Sequence, residues 1–221
     1  MKKILAVLLS CALALALSAP ALAEEAAVKS GSVVTFGRYP QTAEGDDETP
    51  IKWIVLTTDE KSVLMISIYA LDCQPWASQD DVYNVLFGGT VEWKTCALRK
   101  WLNTTFLDKA FTKEEKDVLL SMTLKNAGGE DSTDGVTLLT GENVTSIFRE
   151  LRCEPTAYVK AKYNIEGDYC GWWTRTFSTG FVSGAMSVSS EGNYGQSDFV
   201  DQKGVRPVVA VTPDWFTASH E

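Results

Sequence analysis

The sequence WKTCALRKWLNTTFLDKAF, residues 93–111, decides how this 221-residue chain folds. Its apolar side chains recur about one helical turn apart and form one broad stripe, made by Ala97, Leu98, Trp101, Leu102 and Phe106. The pattern predicts an amphipathic helix that begins at Thr95 or Cys96 and turns its apolar side to the core. Thr112 and Glu115 match a capping box, which predicts a second helix directly after the first.

β-rich segments lie before and after these two helices. Runs rich in Val, Ile, Trp and Thr occupy residues 33–36, 51–57, 62–68, 136–139, 171–176, 181–189 and 204–211. We therefore predict one α+β domain over residues 32–213, with a flexible leader at 24–31 and a short tail at 214–221. The sheet is expected to be mainly antiparallel and to hold both the first strand and the final strand, 205–211.

Aromatic side chains occur in the stretch 72–92 without the spacing of a helix or a strand. The stretch is predicted to be a long connecting loop, which has two interpretations. In the first, the rings are exposed and stack on a sugar or a partner. In the second, the loop folds back and covers the core. Trp76 and Tyr83, together with Tyr194 in the last third of the chain, are the candidate ligand contacts.

The first 23 residues have the pattern of a secretory signal peptide. Lys2 and Lys3 precede a short apolar run, and an Ala-x-Ala site predicts cleavage after Ala23. The apolar run is too short and too early to be a stable membrane span. Lipoprotein processing at Cys11 is the alternative. Either route makes the protein secreted or associated with the cell surface.

The acidity of the chain disfavours two classes of partner. The formal net charge is −9, and it becomes −11 without residues 1–23, which contain Lys2 and Lys3 but no acid. An acidic surface is repelled by phosphate backbones and by anionic lipid, so neither nucleic acid nor a membrane is an expected partner.

Four cysteines follow the signal peptide: Cys73, Cys96, Cys153 and Cys170. An even number in an exported chain indicates disulfides, with three possible connectivities. We favour Cys73 with Cys96 and Cys153 with Cys170, because each pair closes a loop of about 20 residues, for which the chain-entropy model gives about 3 kcal/mol. Four free thiols are the alternative.

The cysteine and histidine content also limits the chemistry of the chain. The cysteines lack the close spacing of a zinc site, and the sole histidine, His220, is next to the chain end. No metal, no cofactor and no catalytic residue is therefore predicted.

A series of motifs gives the chain a family resemblance. Its parts are Trp93-x-x-Cys96-x-Leu98-Arg99-x-Trp101-Leu102-Asn103, Trp172-Trp173-x-Arg175 and Gly204-Val205-Arg206-Pro207. In this order they resemble a bacterial domain of unknown function that is found in exported and surface proteins of anaerobic Gram-positive bacteria. The family also implies local pairing of the cysteines.

The closing motifs are similar to the end of a C-type-lectin-like fold, in which the last strand returns near the first. The resemblance implies two early helices and a late antiparallel sheet. Calcium-dependent sugar binding is not implied, because Thr174 and Arg175 follow Trp173 where such lectins have Asn and Asp.

Seven residues of these motifs are expected to form a structural hub. They are Trp93, Arg99, Trp101, Trp172, Trp173, Arg175 and Arg206. We expect them to support folding more than ligand contact, since an arginine beside aromatic rings often serves as a hydrogen-bonding centre.

The expected function is a non-catalytic binding or adhesion module for a glycan, a wall polymer or a protein. Two alternatives stay open: a secreted enzyme that uses carboxylates or cysteines, and a purely structural domain of a surface assembly. The oligomeric state is also open.

Overall fold

The computed structural model describes residues 28–127, 129–178 and 184–218. The strands are β1 Val33–Tyr39, β2 Thr49–Thr58, β3 Val63–Ser67, β4 Asp72–Gln74, β5 Met122–Leu124, β6 Ser132–Asp134, β7 Val136–Thr137, β8 Trp172–Phe177, β9 Gly184–Val188, β10 Tyr194–Asp198, β11 Lys203–Val205 and β12 Val208–Val211. The α-helices are α1 Gln79–Leu86, α2 Ala97–Trp101, α3 Leu107–Ala110, α4 Lys113–Val118, α5 Gly141–Ile147 and α6 Ala157–Tyr163. The signal peptide with its cleavage site at Ala23, the first half of the leader (24–27), and His220 lie outside the described residues.

The first sheet contains strands from both ends of the domain. Its order is β1-β2-β3-β12-β7, and every neighbouring pair is antiparallel. β2 and β3, which match the predicted runs at 51–57 and 62–68, form a hairpin in which Trp53 lies opposite Ser67. The prediction that the first and last strands share a sheet is confirmed, although β2 and β3 lie between them.

The second sheet has the order β10-β9-β8-β11-β4. It is antiparallel except between β8 and β11, where Gly204 lies opposite Trp172 in a parallel pair. β5 and β6 form a separate antiparallel hairpin within residues 122–134, a region whose turn-rich sequence is typical of a loop. The α+β class with mostly antiparallel sheets agrees with the sequence prediction.

The chain passes between the two sheets at two adjacent places. One passage joins β3 to β4 and the other joins β11 to β12. They are hydrogen-bonded to each other, since the Leu71 N–H donates to the Val205 carbonyl and the Ser67 N–H donates to the Pro207 carbonyl, both at 3.0 Å. The single final strand predicted from the sequence is therefore wrong: it is two short strands in different sheets. Pro207 interrupts it, because proline has no N–H for a strand ladder.

The helix predicted within residues 93–111 is present as a continuous run from α2 to α3. Cys96 is its N-cap, and the sulfur accepts a hydrogen bond from the Arg99 N–H at 3.5 Å. The capping box of Thr112 and Glu115 opens α4 as predicted. The buried members of the apolar side are Leu98, Leu102, Phe106 and Ala110. The stripe therefore faces the core, as the periodicity indicates.

A π-helical segment, Leu102–Phe106, joins α2 to α3 and places Asn103 against the edge of the first sheet. The Asn103 Nδ2 donates to the Val136 carbonyl at 2.8 Å, and its Oδ1 accepts from the N–H groups of Gly135 and Val136 at 2.8 and 3.1 Å. An edge strand otherwise presents unpaired backbone groups. Asn103 thus takes the place of a neighbouring strand beside β7.

The stretch 72–92, predicted to be an irregular loop, contains β4 and α1. α1 begins with a capping box between Ser78 and Asp81, and none of its residues is buried. Its contact with the core is limited to the partly buried Val82 and Val85, and so short an apolar side gives a weak periodic signal, which explains the missed prediction.

The buried side chains form a large core and a smaller one. The large core holds Trp53, Trp76, Trp93, Phe106 and Trp173, and the smaller one surrounds Ile66, Val144, Cys153, Cys170 and Trp172. A 3-10 turn, Pro213–Phe216, packs the ring of Trp215 edge-on against Phe36 with centroids 5.5 Å apart. Within the described ranges, no helix has the length and apolar character needed to cross a membrane.

Candidate functional site

Trp93 and Arg99 of the expected hub meet at one buried carboxylate. Asp134, which is 1% exposed, accepts hydrogen bonds from the Trp93 Nε1 at 2.8 Å and from the Arg99 Nε at 2.5 Å. The Arg99 guanidinium also donates to the carbonyls of Lys94 and Thr133, at 2.7 and 3.1 Å. These contacts join the beginning of α2 to β6.

The other tryptophans of the expected hub are packed in the interior. The Trp172 Nε1 donates to the Leu151 carbonyl at 2.9 Å, and the Trp173 Nε1 donates to the Gln74 carbonyl at 2.8 Å. Trp101 is half-buried and packs its ring on the large core. The buried indole N–H groups of Trp172 and Trp173 thus both have a backbone acceptor, and a buried tryptophan N–H usually finds a hydrogen-bond partner.

Arg206 lies at the passage between the two sheets and is 5% exposed. Its guanidinium is 4.7 Å from the ring centroid of Trp172 and 5.3 Å from that of Phe148. The Nε and Nη2 atoms donate to the Ser67 carbonyl at 3.3 and 3.1 Å. Arg206 therefore holds the passage by stacking and by hydrogen bonds to backbone.

Arg175 has different surroundings from the other hub residues. Its backbone N–H donates to the Leu139 carbonyl at 2.9 Å, which fixes β8 against the segment before α5. The guanidinium Nη1 donates to the Lys125 carbonyl at 3.0 Å and to the Asn126 Oδ1 at 2.5 Å. Among the described residues, Arg175 forms no ion pair with a carboxylate. Its side chain is half-buried, and burial lowers the pKa of the guanidinium while the charge of Asp134 opposes that shift.

Two cavities share Arg175. The first has a volume of about 440 Å³ and is lined mainly by polar residues, namely Lys125, Asn126, Ala127, Asp131, Thr140, Glu142, Arg175 and Thr176. The second has a volume of about 350 Å³ and is mostly aliphatic, with walls formed by Leu64, Met122, Thr123, Leu124, Thr137, Leu138, Leu139, Asn143, Arg175 and Val208. We call the two together the Arg175 groove.

Most polar groups of the Arg175 groove already have partners. Lys125 forms an ion pair with Asp131. The Thr176 Oγ1 accepts from the Gly141 N–H at 2.9 Å. Among the lining residues, the charges without an ion pair are Arg175 and Glu142.

This arrangement suits recognition of an acid that carries an aliphatic group. A guanidinium binds a carboxylate through two parallel N–H donors, and a desolvated guanidinium gains most from that pairing. The aliphatic cavity beside it would remove an apolar group from water. None of the lining residues is a histidine or a cysteine.

The three predicted ligand contacts lie outside the Arg175 groove. Trp76 is fully buried, and its Nε1 donates to the Thr174 carbonyl at 3.0 Å, so its ring belongs to the core and not to an exposed surface. Tyr83 is 55% exposed on α1. Tyr194 is half-buried against α5, where a Cβ on Gly141 would lie 1.6 Å from its hydroxyl oxygen.

Neither of the two predicted disulfides is present in the structure, because all four cysteines are buried free thiols. Cys96 caps α2 from within the large core. Cys73 lies opposite Gly204 and close enough to Cys153 and Cys170 for their charges to interact. Cys153 and Cys170 are side by side, as the predicted pairing requires.

The sequence identified Arg175 but not the residues around it. Lys125 and Asn126 belong to a polar stretch whose composition is typical of a loop. Leu64 and Leu124 come from strands that are far apart in the sequence and adjacent only in the fold. The one available signal was an arginine two positions after a pair of tryptophans.

The structure therefore defines an α+β domain with two linked sheets and an arginine-centred groove. A family model described as "Domain of unknown function (DUF6273)" matches residues 59–213, so the chain belongs to that family. The match includes every residue that lines the groove. No curated protein and no solved structure matches the chain.

Proposed function

We propose that this protein is a secreted or cell-surface binding module without catalytic activity, and that its ligand places a carboxylate on Arg175. The observation that carries the proposal is a half-buried guanidinium that has no carboxylate partner among the described residues and lies between a polar and an aliphatic cavity. Export is supported by the signal-peptide pattern of residues 1–23.

The groove favours a peptide, or the peptide part of a wall polymer, over a plain glycan. Sugar-binding sites commonly stack a ring of Trp, Tyr or Phe on the sugar. None of the residues lining the Arg175 groove is aromatic, whereas six of the lining residues are aliphatic or Met: Leu64, Met122, Leu124, Leu138, Leu139 and Val208. A peptide end with an aliphatic side chain next to its carboxylate matches both halves of the groove.

The C-type-lectin-like fold is part of the same proposal. It is supported by the first sheet, which holds both β1 and β12, and by the helices that lie between β4 and β8 of the second sheet. That fold hosts both binding and catalysis, so the function is argued from the groove and not from the fold.

A titration with two short peptides tests the proposal. Acetyl-Ala-Leu with a free carboxylate is compared with its C-terminal amide by NMR chemical-shift mapping or calorimetry. We expect the free acid to bind at least tenfold more tightly than the amide, because a hydrogen bond to a charged group contributes about 1.5–3 kcal/mol. Equal binding of acid and amide, or shifts confined to residues outside the groove, would contradict the proposal.

Three variants separate the guanidinium from general charge effects. Arg175→Gln is expected to abolish the preference for the acid, and Arg149→Gln, a matched loss of charge at an exposed residue outside the groove, is expected to leave it unchanged. Leu124→Glu places a negative charge in the aliphatic cavity and should weaken binding of the acid. It provides a second test if the Arg175 variant folds poorly. A free-acid preference that survives both groove variants would exclude this site.

A further inference from the structure

Cys153 and Cys170 lie directly opposite each other in an antiparallel bridge, and the Cys170 N–H donates to the Cys153 carbonyl at 2.9 Å. Directly opposed residues of an antiparallel pair have Cα atoms about 4.5–5.5 Å apart. A disulfide requires a Cα separation of about 4.4–6.8 Å. The two thiols are also close enough that each shifts the pKa of the other. Their sulfur atoms are therefore placed so that a bond between them needs no rearrangement of the backbone.

The two thiols differ in their access to the outside. Cys153 lines a cavity of about 340 Å³ whose walls include the rings of Tyr69, Phe148 and Tyr169. Cys170 does not line this cavity, and it packs against Gly204, where a Cβ would lie 3.0 Å from the Cys170 sulfur. A reagent that enters the cavity, which we call the aromatic cavity, therefore meets Cys153 before Cys170.

The charges near Cys153 favour its thiolate. The charged and titratable groups that face it are Arg206, Cys170, Cys73 and Glu154, and Glu150, Arg152 and Tyr169 also line the aromatic cavity. Burial raises the pKa of the Cys153 thiol, but the adjacent Cys170 thiol and the charge of Arg206 outweigh burial and lower it. The neighbouring Cys153 thiol, followed by burial, raises the pKa of Cys170. Glu150 already pairs with Arg152, so it does not neutralise Arg206.

We propose that Cys153 and Cys170 form a thiol–disulfide exchange site for low-molecular-weight disulfides that enter the aromatic cavity. Cys153 is the attacking sulfur, Cys170 is the resolving sulfur, and Arg206 is a positioning residue that stabilises the Cys153 thiolate. The site is separate from the Arg175 groove and does not depend on the function proposed for that groove.

The reaction balances without any further reactant. The Cys153 thiolate attacks one sulfur of the small disulfide, its sulfur–sulfur bond breaks, and the first small thiolate leaves and takes up a proton. Cys170 then loses its proton and attacks the Cys153 sulfur of the mixed disulfide, which releases the second small thiolate. Two electrons pass from the protein to the small disulfide. The products are the Cys153–Cys170 disulfide and two small thiols.

The first test treats the reduced, folded protein with glutathione disulfide and maps the modified peptides by mass spectrometry. Wild type is expected to form the Cys153–Cys170 disulfide and to release two glutathione molecules per chain. Cys170→Ser should stop at glutathione on Cys153, and Cys153→Ser should leave Cys170 unmodified. Cys96→Ser, a matched removal of a buried thiol in the large core, should react like wild type. Glutathione on Cys170 in Cys153→Ser, modification of Cys96 at the rate of Cys153, or no reaction of the folded protein would overturn the proposal.

The second test measures the pH dependence of the first step in the Cys170→Ser background. The midpoint of the rate profile reports ionisation of Cys153 in the folded protein. Arg206→Met should move that midpoint upward by about one pH unit or more, which is tenfold in thiolate population at low pH, and Arg206→Lys should move it less. Glu154→Gln, a change at an exposed position, should move it downward and provides a test that does not depend on the stability of the Arg206 variants. Unchanged midpoints in folded Arg206→Met and in Glu154→Gln would contradict the role given to the local charges.

Discussion

Replacement of Asp134 is the sharpest test of how α2 is attached to β6. Its carboxylate is 1% exposed and accepts from the Trp93 Nε1 at 2.8 Å and from the Arg99 Nε at 2.5 Å. Asp134→Ala removes both acceptors at once. The variant therefore leaves a buried indole N–H without a partner and a guanidinium without its counter-ion.

The expected loss follows from these two contacts. An unsatisfied buried donor costs about 1–3 kcal/mol. Breaking a buried ion pair costs about 3–5 kcal/mol. The Arg99 side chain is 23% exposed and keeps two backbone carbonyl acceptors, so its share is at the low end or below. We expect Asp134→Ala to lower the free energy of unfolding by about 3–4 kcal/mol. Asp134→Asn, which keeps an acceptor for Trp93, should cost about half of that.

Urea unfolding followed by circular dichroism measures the effect. Asp108→Ala is the matched control, because it removes an exposed carboxylate, 72% accessible, that pairs with Lys116. Such surface pairs contribute about 0–1 kcal/mol. A loss in Asp134→Ala no larger than that in Asp108→Ala, at an unchanged denaturant slope, would refute the assignment of Asp134 as the centre of this network.

Three other expected outcomes concern stability. Gly37→Ala should destabilise the protein by about 2–4 kcal/mol, because Gly37 has a φ of +67° and a Cβ there would lie 2.5 Å from a ring carbon of Phe111. Gly31 also has a positive φ but lies in open space, so Gly31→Ala should cost about 1–2 kcal/mol in the same unfolding assay. Asn103→Ala should cost about 2–3 kcal/mol, because it removes three hydrogen bonds to the edge of β7. Thr104→Ala in the same helical run is the control and should cost under about 1 kcal/mol. Equal losses would argue against the role of Asn103 beside β7. Burial raises the pKa of Cys96 from 9.0 to about 12, so the folded state holds this proton more tightly than the unfolded state. The stability that results is complete below pH 9 and should be lost as the pH rises from 9 to 12. A Cys96→Ala variant whose stability falls with the same slope at alkaline pH would contradict this cause.

The helices that carry periodic or capping signals were predictable from the sequence. The apolar side of α2 and α3 repeats at helical spacing, and Thr112 with Glu115 satisfies backbone groups within a few residues of each other. Such signals depend only on local geometry, so no knowledge of the rest of the fold is needed. The β2–β3 hairpin was predictable for the same reason.

Features that depend on distant parts of the chain were not predictable. The π-helical segment positions Asn103 against Val136, a residue 33 positions away, and periodicity cannot indicate that contact. Asp72 accepts hydrogen bonds from the hydroxyls of Tyr39 and Tyr163, at 2.7 and 2.5 Å, from opposite directions in the sequence. A buried carboxylate of this kind has no local pattern, because its partners are brought to it only by the finished fold.

The candidate sites were also predictable only in part. Arg175 and Arg206 were identified from their motifs, and both were expected to support folding more than ligand contact. Their difference is visible only in three dimensions, since Arg206 stacks on two rings and donates to a backbone carbonyl, whereas Arg175 lies open between two cavities. The sequence shows that an arginine is present, but only the folded structure shows which groups pair with its charge.

The break at Pro207 gives the closing motif Gly-Val-Arg-Pro a second role besides forming a strand. Val205 is the last residue of β11 in the second sheet, and Val208 is the first residue of β12 in the first sheet. The motif therefore spans the passage between the two sheets. The adjacent passage from β3 to β4 is hydrogen-bonded to it, and Arg206 donates to the Ser67 carbonyl across that pair. The same arginine faces Cys153, so a change in the charge of that sulfur acts directly on the residue that fastens the two sheets together. Arg206 therefore belongs both to the sheet junction and to the thiol site proposed for the aromatic cavity.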